Sequence, residues 1–140
     1  MSVVFFTDRD LGLQFPTILT AAGLQVRRHA DLFPHDCPDE EWLSDVAKRG
    51  WIALTHDARI RYKPNELAAV IQNGLALLVV VGKASYPVLA RSFVATLNPV
   101  LTFPATHPPP VIGKVYRASP AAMASNPAAQ GRVELWHPKP

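Results

Sequence analysis

The sequence predicts an α/β fold of three layers (α/β/α), in which helices cover both faces of a mainly parallel sheet that ends in a C-terminal β-hairpin. Short apolar runs without helical periodicity alternate with segments that have it, which predicts the order β-α-β-α-β-α-β-α. Glycine directly follows three of the four helical segments, as is common at the ends of helices. Strands joined through helices lie parallel, and functional groups are then expected at their carboxyl ends.

The first half of the chain contains three predicted strands and two predicted helices. The strands are rich in β-branched and aromatic residues, and the helices carry apolar residues at helical spacing. The acids and bases at the two ends of the second helix match the helix dipole. In chain order we expect a strand at 3–7, a helix at 13–22, a strand at 25–29, a loop at 30–37, a helix at 39–49 and a strand at 51–55.

The second half begins with regular elements and then changes composition. We expect a helix at 64–73, a strand at 75–81 and a helix at 85–98. Ser85 is the predicted N-cap of the last helix. Seven of the 14 prolines lie between residues 99 and 127, so we expect a proline-rich connection to follow this helix.

The C-terminal part is predicted to complete the same domain. Residues 111–117 and 132–136 alternate as exposed strands do, which predicts a hairpin at the edge of the sheet. Residues 118–130 are rich in Ala, Ser, Pro and Asn without a period, and we expect a flexible inserted loop. Residues 1–98 would then form the main body, and residues 99–140 the connection and hairpin of one domain.

Composition narrows the class of protein. The 140 residues favour one domain, and 49% of hydrophobic residues suffices for a packed core. The net charge of +3 permits a nucleic-acid partner without requiring one. The single cysteine, Cys37, excludes an internal disulfide and favours a reducing compartment. The N-terminus lacks a signal-peptide pattern and the longest apolar run, 75–81, is too short to span a bilayer, so we expect a cytoplasmic protein without a membrane partner.

Three aspartates lie near predicted strand ends at one edge of the sheet. Asp8 follows the first strand, and Asp57 follows the strand at 51–55. Asp39 opens the helix that leads into that strand. Carboxylates that meet in one crevice repel each other, and a divalent cation removes this repulsion. Oxygen ligands with retained waters suit Mg²⁺ or Mn²⁺, so these acids predict a metal site.

Each acid also has an ordinary structural use. Asp8 and Asp10 suit a turn after a strand, and the acids at 39–41 suit the positive end of a helix. Asp57 could pair with Arg59 or Arg61 at the surface. The coincidence of three acids at one sheet edge favours the metal site without excluding these uses.

A basic cluster follows Asp57. Arg59, Arg61 and Lys63 alternate, so on an extended segment they would share one face and contact phosphates. A solvated loop is the alternative for these residues. The histidines and the cysteine lack the spacing of a zinc site, and no dinucleotide or P-loop motif is present.

The chain resembles the PIN-like domains, and among them the small branch of toxins related to the VapC group of bacterial toxin–antitoxin systems. The resemblance covers nearly the whole chain except the Ala/Pro-rich loop. The matching pieces are FFTDRDL at 5–11, PDEEWLSDVAKRGW at 38–51, LTHDARIR at 54–61, LALLVVVG at 75–82, VYR at 115–117 and GRVELW at 131–136.

The resemblance implies an acidic Mg²⁺ or Mn²⁺ site that cuts RNA phosphodiesters. Asp8, Asp39 and Asp57 match its acids. The family usually adds a further acid, often a Glu on an intermediate helix, and here Asp10 or Glu40 could replace it. The resemblance also implies the toxin of a type II toxin–antitoxin pair, with RNA as substrate and a cognate antitoxin protein as partner, and it leaves a homodimer open.

Two other functions stay open on the sequence alone. The first is a catalytically silent PIN-like domain that acts as a binding module. The second is a small phosphohydrolase or a domain like a response regulator, which also places acids at strand ends. Such a domain needs a lysine after a late strand, and Lys83 follows the strand at 75–81.

Overall fold

The sheet has six strands in the order β2-β1-β3-β4-β5-β6. A computed structural model describes residues 3–139, except the side chain of Arg61. Neighbouring strands pair in parallel from β2 through β5, and β6 pairs antiparallel with β5. The predicted α/β class, the mainly parallel sheet and the C-terminal antiparallel pair are confirmed. The strands are β1 Val4–Thr7, β2 Gln25–Arg28, β3 Ile52–Thr55, β4 Ala76–Val80, β5 Val111–Tyr116 and β6 Arg132–His137.

Helices cover both faces of this sheet. On one face, Phe5 packs with Phe93, and on the other face, Phe6 stacks on Trp42. Successive residues of β1, β3 and β4 are buried on opposite faces. These strands are therefore apolar instead of alternating, apart from the threonine that ends β1 and β3. The helices are α1 Gln14–Ala21, α2 His29–Leu32, α3 Asp39–Lys48, α4 Pro64–Asn73, α5 Tyr86–Ala95, α6 Leu97–Thr106 and α7 Pro120–Ser125, and two 3-10 turns span Arg9–Leu11 and Ile60–Tyr62.

The predicted helix at 85–98 and the proline-rich connection after it are wrong in detail. The helix ends near Thr96, and α6 continues to Thr106 where a connection was expected. Pro99 is tolerated because it lies in the first turn of α6, where a backbone N–H has no helical partner. Among the described residues no single helix is long and apolar enough to cross a membrane, and α5 and α6 reach that length and composition only together, with a bend of 64°.

The C-terminal hairpin also differs from the prediction. β5 is not an exposed strand, because it lies between β4 and β6 and is mostly buried. The alternating pattern of β5 predicted an exposed strand, but Gly113 faces the core. A Cβ at this position would lie 2.9 Å from the ring of Phe103. The expected loop at 118–130 contains the short helix α7, whose first turn is capped by the hydroxyl of Ser119.

His29 begins α2, in a segment that was predicted to end a strand and enter a loop. Its side chain is buried among Phe6, Phe33 and Trp42. Neither ring nitrogen has a hydrogen-bond partner among the described residues. Burial, aided by the nearby charge of Arg9, lowers the pKa of His29, so the ring is neutral at pH 7.

We expect His29→Phe to stabilise the protein, because a ring without polar atoms removes the cost of burying two unpaired nitrogens. The expected gain is about 1 kcal/mol in the free energy of unfolding. Urea denaturation at pH 7 measures it. A loss of stability would show that the histidine nitrogens are satisfied or that the site rejects the larger ring.

Residues 118–130 are expected to be dispensable for folding. They are almost entirely exposed, and their flanks Tyr116 and Arg132 already pair across the β5–β6 ladder. Replacing them with an Asn-Gly turn should move the melting temperature by less than about 4 °C, the shift produced by roughly 1 kcal/mol. A much larger fall, measured by thermal denaturation, would show that α7 contributes to the core.

Candidate metal centre

Acidic residues surround a cavity of about 350 Å³ at the carboxyl edge of the sheet. The edge forms where β1 and β3 end side by side, since Thr7 pairs with Leu54 and the backbone N–H of Asp8 donates to the carbonyl of Leu54 at 2.9 Å. The chain turns sharply after each strand, which brings the following loops together. The residues that line the cavity are Asp8, Arg9, Asp10, His35, Asp39 and Asp57.

The buried hydroxyl of Thr55 connects the acids. Its oxygen lies 3.0 Å from Asp8 Oδ2 and 3.1 Å from Asp10 Oδ2, and it accepts the backbone N–H of Asp57 at 3.2 Å. A hydroxyl carries a single proton and can donate to one of the two carboxylates at a time. Backbone N–H groups of Arg9 and His56 satisfy the other oxygen of each carboxylate. One carboxylate oxygen at Thr55 is therefore left for a proton of its own or for a cation.

The pKa values of this pair reflect that crowding. Burial, followed by the charge of Asp10, raises the pKa of Asp8 to about 7, although the N–H of Arg9 and the hydroxyl of Thr55 oppose the shift. Burial also raises the pKa of Asp10, against the backbone N–H of His56, which donates to its carboxylate at 3.0 Å. Two half-buried carboxylates that resist ionisation together are what a divalent cation stabilises.

A fifth acid, Glu66, completes the centre, and sequence reasoning missed it. Its side chain is only 12% exposed and hydrogen-bonds the carboxylate of Asp39. Burial and this hydrogen bond raise the pKa of Glu66 to about 7. Burial also acts to raise the pKa of Asp39, but hydrogen bonds from Glu66 and Trp42 outweigh it and hold that pKa below its usual range. Of the two acids, Glu66 is therefore the one that carries the shared proton, and it does so below about pH 7.

The sequence did contain a signal for Glu66. It stands four residues before Val70 and seven before Asn73, so the three share one face of α4. That face packs on α3, because Val70 is buried in the core and the amide of Asn73 accepts from the hydroxyl of Ser44. A carboxylate on an otherwise inward-facing stripe indicates a buried acid with a partner.

Cationic side chains already contact three of the acids. The ammonium of Lys63 lies 2.5 Å from Asp57 and 3.8 Å from Glu66. A guanidinium nitrogen of Arg9 lies 3.7 Å from Asp39. Burial acts to raise the pKa of Asp57, yet the hydrogen bonds from Lys63 and from the backbone of Arg59 lower it overall.

The expectation that the basic cluster forms one extended face is wrong. The segment coils into a 3-10 turn, so side chains two residues apart do not share a side. Lys63 points into the acids, whereas Arg59 is 82% exposed and lies 3.6 Å from Asp57. The side chain of Arg61 lies outside the described residues.

Two further sequence candidates lie away from the acidic cavity. Glu40 lines a neighbouring cavity together with Lys63 and Glu66. Lys83 is exposed in the turn after β4. Lys63 and Arg59, which do contact Asp57, come from the loop that follows it and not from the turn after β4.

Asp8 and Asp10 have the chemistry of a magnesium or manganese site. Within residues 3–139, no three His, Cys, Asp or Glu side chains are grouped closely enough to hold a metal ion by themselves. Mg²⁺ does not require three, because it usually binds through one or two carboxylates and retains several waters. Thr55 brings the carboxylate oxygens of Asp8 and Asp10 together, and the pKa of Asp8 is raised. These oxygen donors fit such an ion.

The raised pKa of Asp8 predicts how pH changes stability without metal. Between its ordinary pKa of 3.8 and its folded value of about 7, the folded protein binds the extra proton, so this group destabilises the fold as the pH rises. Asp8→Asn mimics the protonated form. It should melt higher than the wild type at pH 8 in EDTA, and the difference should be much smaller at pH 5 and vanish only below about pH 4.

Asp45→Asn is the matched control, because Asp45 is an exposed acid paired with Arg49 on α3. Its melting temperature relative to the wild type should not follow this pH dependence. A gain for Asp8→Asn that is equal at both pH values would contradict the raised pKa.

The family of the chain follows from comparison with known proteins. A family model described as a PIN like domain matches residues 3–82, which is more than half of the chain and includes β1 to β4 with all five acids. No curated protein and no solved structure matches the chain. PIN-like domains are generally nucleases and usually use divalent metal ions. The chain belongs to the PIN-like domain family.

Proposed function

We propose that the chain is a Mg²⁺- or Mn²⁺-dependent endoribonuclease and the toxin of a type II toxin–antitoxin pair. The observation that carries the nuclease is the pair Asp8 and Asp10, which Thr55 draws together at the edge of the sheet. The narrower role rests on the resemblance to the small VapC-type toxins. It implies a cytoplasmic protein that cuts RNA and is neutralised by a cognate antitoxin.

The acids have separate tasks in this proposal. Asp8 and Asp10 hold the ion, which when bound supplies an activated water and stabilises charge on the phosphate. Glu66 has a pKa near 7, so its carboxyl can accept or return a proton at physiological pH. Lys63 holds Asp57 ionised and in place beside the cavity. Arg9 carries positive charge at the cavity wall, where an anionic strand would enter.

A specific observation favours a second candidate, a catalytically silent binding module. Lys63 and Arg9 contact Asp57 and Asp39, so part of the acidic charge is balanced without any metal. A PIN-like domain that had lost its metal could keep its fold through such contacts. The affinity for Mn²⁺ separates the two functions, because the silent module needs none.

We expect Asp8→Asn to reduce Mn²⁺-dependent cleavage of single-stranded RNA by at least about 100-fold. Loss of a residue that only hydrogen-bonds a metal ligand costs up to about 100-fold in activity, and loss of a ligand itself should cost no less. Asp57→Asn should also abolish cleavage, since it removes a charge at the cavity and frees Lys63. Cleavage assays and calorimetric Mn²⁺ titration measure both effects.

Asp45→Asn, which removes an exposed and ion-paired acid on α3, should cleave within about twofold of the wild type. Normal cleavage by Asp8→Asn would end the nuclease proposal. RNA binding by the wild type with no cleavage and no Mn²⁺ affinity would favour the silent module.

A further inference from the structure

A second cavity of about 270 Å³ adjoins the acidic one. It lies where β1 and β2 end and α1 approaches, and Thr7, Arg28, His29 and Leu13 are among the residues that line it. Asp8 and Arg9 line both cavities, so the two are separated by a single shared wall. A long molecule bound in the acidic cavity can therefore continue past Asp8 and Arg9 into the second cavity.

The charged groups of the second cavity favour an anion. Arg9 and Arg28 both line it, and their side chains are 36% and 34% exposed. Their ion pairs with Asp39 and Asp31 measure 3.7 Å and 3.5 Å, which is long for charge-assisted hydrogen bonds. Each guanidinium has five N–H donors in a planar fork. Arg28 can therefore turn to a phosphate without giving up a tight contact, whereas Arg9 also donates to the backbone carbonyl of His35 and would offer its other N–H groups.

The remaining walls suit the less polar part of a nucleotide. Leu13 is 60% exposed at the start of α1 and gives the cavity an apolar side. His29 forms a buried side, and its ring is neutral and unpaired among the described residues. A sugar can pack against these surfaces while its phosphate meets the arginines.

We propose that this cavity binds the phosphate and sugar of the RNA nucleotide next to the cleaved bond. The inference rests on the proposed nuclease function, because it takes the acidic cavity as the place of cleavage. A polynucleotide carries a phosphate at every step, so a strand whose phosphate lies over Asp8 presents the next one near the shared wall. Arg9 then contacts the strand from the wall, and Arg28 holds the neighbouring phosphate.

The sequence provides a matched pair of variants. Arg27 and Arg28 are adjacent in β2 and point to opposite faces of the sheet. Arg28 lines the cavity, whereas Arg27 is exposed and donates to the carbonyl of Val26. Arg28→Ala and Arg27→Ala therefore remove the same charge from the same strand, and only one of them changes the cavity.

The test measures binding of a short fluorescein-labelled single-stranded RNA by anisotropy, in EDTA, over a series of salt concentrations. Arg28→Ala should weaken binding about tenfold and lower the salt slope by about one phosphate contact. Arg27→Ala should stay within about twofold of the wild type. Equal effects of the two variants would overturn the proposal, and so would unchanged binding by Arg28→Ala.

Three further measurements separate a lost RNA contact from misfolding, from an acidic protein partner and from loss of cleavage. Melting temperatures establish that the variants are folded, and Arg28→Gln, which keeps a long polar side chain, repeats the test if Arg28→Ala unfolds. Loss of binding to a polyglutamate peptide with RNA affinity retained would assign the cavity to an acidic protein partner and overturn the proposal. Cleavage by the wild type with Mn²⁺ is scored separately, so failure of the nuclease is distinguishable from failure of the cavity.

Discussion

The hydroxyl of Thr55, buried between two carboxylates, is the contact on which the acidic centre depends. Thr55 is the last residue of β3, and the parallel pairing of β3 with β1 places its side chain opposite the turn that carries Asp8 and Asp10. The same oxygen accepts the backbone N–H of Asp57 and so sets the start of the next loop. A Thr-x-Asp sequence after a strand thus has a physical role, since the threonine positions acids from two loops.

The contacts divide the centre into two halves of different electrostatic character. In one half, Lys63 and Arg9 balance Asp57 and Asp39, and both of these carboxylates have lowered pKa values. In the other half, Asp8 and Asp10 share a hydroxyl and have raised pKa values. The demand for an added cation is therefore localised to one side. Charge supplied by the protein keeps the other side ionised and ordered.

The sequence predicts β1, β3 and β4 well because burial on both faces makes β4 apolar throughout and makes β1 and β3 apolar up to the threonine that ends each of them. It also predicts the ends of several helices, where a glycine such as Gly74 adopts the left-handed conformation that closes α4. It fails where tertiary contacts decide. Glu66 reaches Asp39 only because α4 packs on α3, and Lys63 reaches the acids only because the segment after Asp57 coils into a 3-10 turn. The helix α6 was missed because its two prolines indicate a connection, although Pro99 lies in the first turn and Pro104 is accommodated inside the helix.

The two edges of the sheet are built from strands of unusual polarity. β2 ends in two arginines, and β6 carries Arg132 and Glu134 and runs directly into Pro138. An uncovered edge strand offers unpaired backbone groups to other chains, and charges and proline discourage that pairing. The charges at both edges and the proline after β6 therefore oppose edge-to-edge association of the open six-stranded sheet.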